Sequence, residues 1–447
     1  MGKSARDVAV NALVEWEREH TYSNIVVDRL IKREDLTAAD AAFVTRLVYG
    51  VIERCLTLDW LIDKNSRRPV KACQPTVRAI LRVGAYQLAF MEKIPPSAAV
   101  NEAVGQAKRM KCGFAAGFVN GVLRAVADRA SSLLSSLPTD LKGQSVRHSV
   151  PMELLTMWKK AYGLQTATAL ALCVNEAPPA MIRINTLKTD AATFRALLEE
   201  NGVAFSLIDG LPAAVCVEDA SALRASTIDE SWYYFQDAAS QWACQALGAQ
   251  PHERLIDVCA APGGKSFSCA MDMNGTGTIV SCDIYEEKTR ILQKRAAFYG
   301  IDSVSAKQRD ASERCSAIEE AAFDRVICDV PCSGYGVIRR KPEIRYKSPA
   351  EFAELPLLQY TILCESARLV KAGGVLQYST CTLRKEENEE IVERFLAEHP
   401  EFSPRVLPLP PLFEAAGCAP SYRITLMPSV HQTDGFFIAS FRKEETV

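Results

Sequence analysis

The stretch LIDVCAAPGGKS, residues 255–266, decides how the chain is read. A short apolar run from Leu255 closes on Asp257-Val258-Cys259, then passes through Pro262-Gly263-Gly264 into a segment able to start a helix. Two glycines at a strand-to-helix turn let a backbone approach a ligand closely. Gly264-Lys265-Ser266 matches the end of a phosphate loop, but that loop needs a glycine five places before its last one. Residue 259 is a cysteine, and G-x-G-x-x-G is missing as well, so a phosphate cradle is disfavoured.

Downstream, the short apolar runs TIVSCDI (278–284), RVICDV (325–330) and GVLQYST (374–380) alternate with helix-forming segments such as EEKTRILQKRAAFYG (286–300). Apolar strands separated by helices predict a parallel sheet covered on both faces, with the ligand at the carboxyl ends of its strands. YRITLMP (422–428) and GFFIASF (435–441) have no helix between them and suggest an antiparallel hairpin at the sheet edge. Upstream, Val77, Ile80, Leu81, Gly84, Ala85 and Leu88 keep helical spacing, as do the apolar residues of 41–62, with Thr37 and Asp40 forming a cap. Ser, Pro and Gly in 131–145 predict a linker. The expected organisation is α + α/β: a helical bundle over 1–142, a small α+β connecting domain over 143–235, and a doubly wound domain over 236–447.

Composition narrows the class. Of 447 residues, 48% are hydrophobic and 24% charged, a globular balance. No apolar run reaches the ~18–20 residues of a membrane span, and the amino terminus lacks signal-peptide features, which predicts a soluble cytoplasmic protein without membrane contact. Fifteen scattered cysteines, without C-x-x-C, and five isolated histidines argue against a disulfide scaffold and against a metal site. The net charge of −2 hides a balance of +6 in residues 1–143, a weak pointer to nucleic acid.

Acidic residues end successive strands. Asp283 is placed to accept from ribose hydroxyls and Asp310 from an adenine amino group, although either could simply cap the helix that follows. An adenosine without phosphate suits such a site, and S-adenosylmethionine is the expected cofactor. Asp329-Val330-Pro331-Cys332 and Ser379-Thr380-Cys381-Thr382 bring two thiols to the same sheet edge. A thiolate adding to carbon 6 of a pyrimidine would make carbon 5 nucleophilic, and Asp329 could hold the base. The run Arg339, Arg340, Lys341, Arg345 and Lys347, with Tyr335 and Tyr346, suits RNA phosphates and stacked bases.

AAPGGK (260–265), DVPCSGYG (329–336) and STCT (379–382) together resemble the RNA cytosine-5 methyltransferases. SGYGVIRRKPEIRY (333–346) and TDGFFIASF (433–441) point to the bacterial Sun/Fmu branch that modifies small-subunit ribosomal RNA. The front, with FVNGVLRAV (118–126), resembles the antitermination factor NusB. RHSVP (147–151), RINTLK (183–188) and FQDAASQ (235–241) resemble the intervening segment of that branch. The resemblance implies a NusB-like all-α RNA-binding bundle and a Rossmann-like S-adenosylmethionine domain acting on carbon 5 of a cytosine, at position 967 of 16S ribosomal RNA. It assigns Cys381 as nucleophile and Cys332 as the residue that helps release product, with Asp329 and Lys265 completing the catalytic set. Cofactor contacts fall on Cys259, Ala260, Ala261, Pro262, Gly263, Gly264 and Lys265, then on Asp283, Asp310 and Asp329. Val330 stands where the family usually has Ala. The expected partner is 16S ribosomal RNA or a partly assembled small subunit, met by a monomer. A non-catalytic assembly factor and a small-molecule methyltransferase are the competing readings.

Overall fold

Thr37 begins the helix Ala38–Glu53 by accepting from the Asp40 amide at 3.2 Å. This is the cap expected from the sequence, and it satisfies an amide that the helix itself leaves open. The helix Pro75–Phe90 buries Val77, Ile80, Leu81, Gly84 and Ala85. Where these two helices meet, a Cβ on Gly50 would overlap the Tyr86 ring, so only glycine fits. From the helix Pro75–Phe90, buried Arg82 donates to both Asp59 oxygens at 2.7 and 2.8 Å, on the helix Cys55–Lys64, and to Glu17, on the helix Ala5–Glu19.

The computed structural model describes residues 4–19, 22–314 and 320–445. They fall into two compact units, 1–176 with 338–348, and 177–337 with 349–447. The first unit is helical and extends past the expected boundary at 142, because Leu141–His148 and Met152–Cys173 belong to it. The expected linker at 131–145 is mostly helix as well. Ser132 and Ser135 turn their hydroxyls back onto the carbonyls of Arg129 and Ser131, so the helix runs on to Ser135. Asp140 then caps the next helix through the Gly143 amide at 2.8 Å.

The second unit holds two sheets. The strands β1 (Ala180–Ile184), β2 (Phe205–Leu207), β3 (Ala214–Val217) and β4 (Tyr233–Phe235) form an antiparallel sheet in the order β2-β3-β1-β4. Phe194 and Leu198 of the helix Ala191–Glu200 are buried with this sheet's residues. The larger sheet contains β5 (Arg254–Asp257), β6 (Thr278–Asp283), β7 (Val304–Gln308), β8 (Phe323–Asp329), β9 (Val370–Thr380), β10 (Phe402–Pro404), β11 (Arg423–Leu426) and β12 (Phe436–Lys443). Its order is β10-β12-β9-β8-β5-β6-β7, with β11 also on β12; β5 to β9 are mutually parallel, and the pairs made by β12 are antiparallel.

β11 and β12 do pair as expected, but β12 lies inside the sheet, bonded to β9 from Phe437↔Thr380 to Arg442↔Val375. Its unbroken apolar run belongs to a strand covered on both faces. The boundary expected at 235/236 is not a gap in packing: Met181, Leu211 and Ala214 share a core with Trp242, Phe413 and Ile438.

Candidate active site

β5, β6, β8 and β9 end side by side, and the site grows from those ends. After Asp257, the Val258 amide bonds the Ile327 carbonyl and the Ala260 amide bonds that of Cys282, which pins the glycine turn between β8 and β6. Gly263 sits at φ 103° just before the helix Gly264–Asp272, and a Cβ there would press on the Phe267 ring. Both facts require glycine.

Beneath this turn Asp257 is 1% exposed. Its Oδ2 accepts from Ser266 Oγ at 2.8 Å, and the Ser281 hydroxyl donates to Ser266 in turn. Asp257 Oδ1 is buried without a partner, and burial pushes this carboxyl up to about 7. Asp283 is the last residue of β6, and Asp310 lies two residues past β7. Each uses Oδ1 on its own turn, accepting from the amides of Tyr285 (3.0 Å) and Ser312 (2.9 Å). Both bonds close local turns, and neither carboxylate caps a described helix. Of the expected cofactor residues, Cys259, Ala261, Gly264 and Asp310 are half-buried, Ala260 and Gly263 are buried, and Pro262 is exposed.

β8 and β9 bring the thiols together. Asp329 pairs with Ser379 in the parallel register, and just beyond, Cys332 Sγ lies 3.2 Å from Cys381 Sγ. The Cys381 thiol and burial push the Cys332 thiol well up. Asp329 accepts from Lys265 Nζ at 2.7 Å and from Ser379 Oγ at 2.6 Å. Burial alone would pull the Lys265 ammonium down, but the Asp329 carboxylate outweighs it and holds it up. Lys265 thus ties the glycine turn to the thiol end of the sheet. Gly336 and Gly435 allow their backbones to touch beside Cys381: Gly336 N donates to Cys381 O, Gly435 N donates to Gly336 O, each at 2.9 Å, and a Cβ on either would collide. Ser379 was not singled out from sequence; its position opposite a strand-end aspartate in a parallel pair is the signal that could have found it.

The cationic run divides. Residues 338–348 belong to the helical unit. Arg345 is 0% exposed and donates to the carbonyls of Glu53 and Val174 and to Asn175 Oδ1. Tyr346 donates to the Ile52 carbonyl at 2.7 Å, and Glu343 accepts from the Ser23 amide and hydroxyl. Arg345 and Tyr346 are thus corrected from RNA contacts to internal ties: they close the carboxyl ends of helices, where carbonyls lack partners. Arg339 is buried too, and so is Tyr335, which meets Phe352 edge-on. Arg340 and Lys341 remain exposed and Lys347 half-exposed, with both lysines over the Tyr22 ring.

The strand-end donor set suits an adenosine ligand without phosphate. Carboxylates line it, the cation of the turn is committed to Asp329, and Asp257 keeps one oxygen open beneath the glycine turn. Among the described residues no group of three or more His, Cys, Asp or Glu could hold a metal.

Comparison with known proteins gives the family. Residues 244–442 match the family model for the 16S rRNA methyltransferase RsmB/F, residues 3–128 the NusB family, and residues 150–224 the ferredoxin-like domain of RsmF/B-like methyltransferases. The chain is 34% identical to a probable ribosomal RNA small subunit methyltransferase B of Bacillus subtilis, covering 99% of each chain. It is 33% identical to a protein of the same description from Synechocystis, covering 98% of this chain and 99% of that one. Among solved structures, that of PH0851 is 25% identical with a TM-score of 0.80, covering 99% of this chain and 100% of the other. The chain belongs to the ribosomal RNA small subunit methyltransferase B family, enzymes that methylate 16S ribosomal RNA with S-adenosylmethionine as cofactor.

Proposed function

We propose that the protein methylates carbon 5 of a cytosine in 16S ribosomal RNA through a covalent adduct on Cys381. The observation that carries this reading is the pair of sulfurs 3.2 Å apart, beside the Lys265–Asp329 ion pair and at the strand ends that would hold the cofactor. Cys259 to Lys265, Asp283, Asp310 and Asp329 are the residues that would hold S-adenosylmethionine, which supplies the methyl group when bound.

In this mechanism the Cys381 sulfur adds to carbon 6 of the unstacked cytosine and raises the electron density at carbon 5. Asp329 accepts from the exocyclic amine. The Lys265 ammonium beside it balances the negative charge that builds on ring nitrogen 3 as sulfur adds. Once methylated, carbon 5 must pass its proton to a base, its electrons re-forming the 5,6 double bond as the carbon–sulfur bond breaks and Cys381 leaves as thiolate; Cys332, as thiolate, would be the base that takes this proton. Arg340 and Lys341, exposed, and Lys347, half-exposed, would meet RNA phosphates, and the NusB-like unit would add RNA contacts. The expected working form is a cytoplasmic monomer; among the described residues no helix is long and apolar enough to cross a membrane.

The test uses labelled S-adenosylmethionine and 16S ribosomal RNA, either free or in a partly assembled subunit. Cys381→Ala should abolish transfer and adduct together. Cys332→Ala should accumulate a protein–RNA adduct that survives denaturation. Full activity of Cys381→Ala would sink the proposal, and bisulfite mapping of the product identifies the cytosine.

A further inference from the structure

The two thiols project from separate loops, and something must hold them at their separation. Cys332 is flanked on one side by the Pro331 carbonyl, which accepts from Gln359 Nε2 at 2.9 Å. On the other side the Ser333 amide donates to Glu387 Oε2 at 2.9 Å. The same Glu387 oxygen accepts from Gln359 at 2.8 Å, and Oε1 accepts from Arg384 at 3.1 Å. Cys381 is flanked in the same manner by the next residue of the chain. Thr380 Oγ1 donates to Asn388 Oδ1 at 2.6 Å, and Asn388 Nδ2 donates to the Thr382 carbonyl at 3.0 Å. A Ser333–Thr382 hydroxyl contact of 2.7 Å joins the loops directly.

Glu387 and Asn388 are both fully buried. Consecutive side chains can face two different loops here because Asn388 adopts φ −121° and ψ −95°, between the short turn Lys385–Glu387 and the helix Glu389–Glu398. A buried carboxylate needs partners, and Glu387 has found them on the Cys332 loop.

We infer that Glu387 and Asn388 are positioning residues for the two sulfurs: Glu387 fixes the Cys332 loop used in product release, and Asn388 fixes the Cys381 loop used in attack. This rests on the two-thiol reading above. It leads to opposite signatures from adjacent residues. Loosening Cys332 slows release and loosening Cys381 slows addition.

The experiment reads turnover, the Michaelis constant for RNA and the fraction of enzyme in denaturation-resistant adduct, using the full chain. Glu387→Gln replaces an acceptor of the Ser333 amide with an amide that can turn a donor toward it. It should lower turnover about 10-fold or more with the Michaelis constant for RNA near that of the parent, while the adduct fraction rises. Asn388→Ala should lower turnover by a similar factor with less adduct than the parent. Asn388→Asp, which keeps the acceptor for Thr380, should recover part of the loss. If Glu387→Gln does not fold, Gln359→Ala loosens the Cys332 loop from its other flank and should also raise the adduct fraction.

Equal losses in both variants with an unchanged adduct fraction would overturn the inference, since they would mark a merely structural cluster. The Cys variants separate this failure from that of the parent reading. If Cys332→Ala traps adduct and Cys381→Ala is dead, only the positioning role has failed.

Discussion

Lys265 and Arg345 are both cations removed from water, one in each compact unit, and they are used differently. Lys265 faces a carboxylate whose remaining partner is a serine hydroxyl, beside half-buried thiols. Arg345 faces backbone carbonyls at helix ends and the side chain of Asn175. Burial pulls the Arg345 guanidinium down, whereas Asp329 outweighs the same effect at Lys265 and holds its ammonium up. The difference teaches how to sort buried charges. An ion pair at a strand end can rearrange its bonds around a substrate, while a guanidinium enclosed by carbonyls has its terminal nitrogens taken up by the fold.

The largest expected effect breaks the first member of that contrast. Lys265→Ala leaves Asp329 half-buried without its cation, and removal of one partner of a desolvated pair costs about 3–5 kcal/mol. Single-turnover methyl transfer should fall about 100-fold or more, while the thermal unfolding of the helical unit stays where it was. A loss of less than about 3-fold would remove Lys265 from the site. Next, Arg345→Ala should destabilise the helical unit by about 2–4 kcal/mol through carbonyls left unpaired, read as a lower unfolding midpoint. Arg340→Ala and Lys341→Ala should leave that midpoint within about 0.5 kcal/mol. Each should instead weaken RNA binding and reduce the slope of log affinity against log salt by about one. If Arg345→Ala changed the salt slope and left stability intact, the two regions would not differ as described.

How far these roles could be read from the chain depended on which groups their side chains met. The placement of Asp283 and Asp329 at strand ends was legible because an apolar run closing on a polar residue marks the end of a buried strand, whereas Asp310 lies two residues beyond the half-exposed β7. KEENEE at 385–390 carries the same chemical types, yet it reads as a solvated helix start, and Glu387 and Asn388 are fully buried. Nothing local announces that Glu387 meets the Ser333 amide, 54 residues away, or that Asn388 turns back onto Thr380 and Thr382. Arg345 was misread for the same reason, since its acceptors are carbonyls at the ends of helices distant in sequence. The Ser-rich stretch at 131–135 looked like a linker because serine favours turns, but a serine hydroxyl bonded one turn back is compatible with helix.

The two units also contain buried titrating groups whose pH slopes run in opposite directions, and these give the smaller effects. Asp257 titrates near 7 in the folded protein against an ordinary value near 3.8. The folded state therefore binds the proton more tightly, and this contribution to stability is present at low pH and lost as pH rises from about 4 to 7. One such proton changes stability by up to about 1.4 kcal/mol per pH unit in that window. Asp257→Asn should flatten that part of the profile, measured as the difference in urea midpoint from the parent at pH 4.5, 6 and 7.5.

His148, in the helical unit, has the reverse sign. Burial, with Arg54 and Arg147 nearby, pulls its pKa from 6.5 to about 4, and its Nε2 is buried without a partner. Between those values the unfolded chain binds the proton and the folded chain does not, so stability falls as pH drops from 6.5 towards 4. The ring is only half-buried, and water screens it, so the slope should be a few tenths of a kcal/mol per pH unit. His148→Gln should remove this slope and leave that of Asp257 in place. A profile for His148→Gln parallel to the parent between pH 4 and 6.5 would mean that the imidazole reaches water in the folded state, and that Arg345, whose nearest acceptors include the His148 carbonyl, closes this corner of the bundle less tightly than its bonds imply.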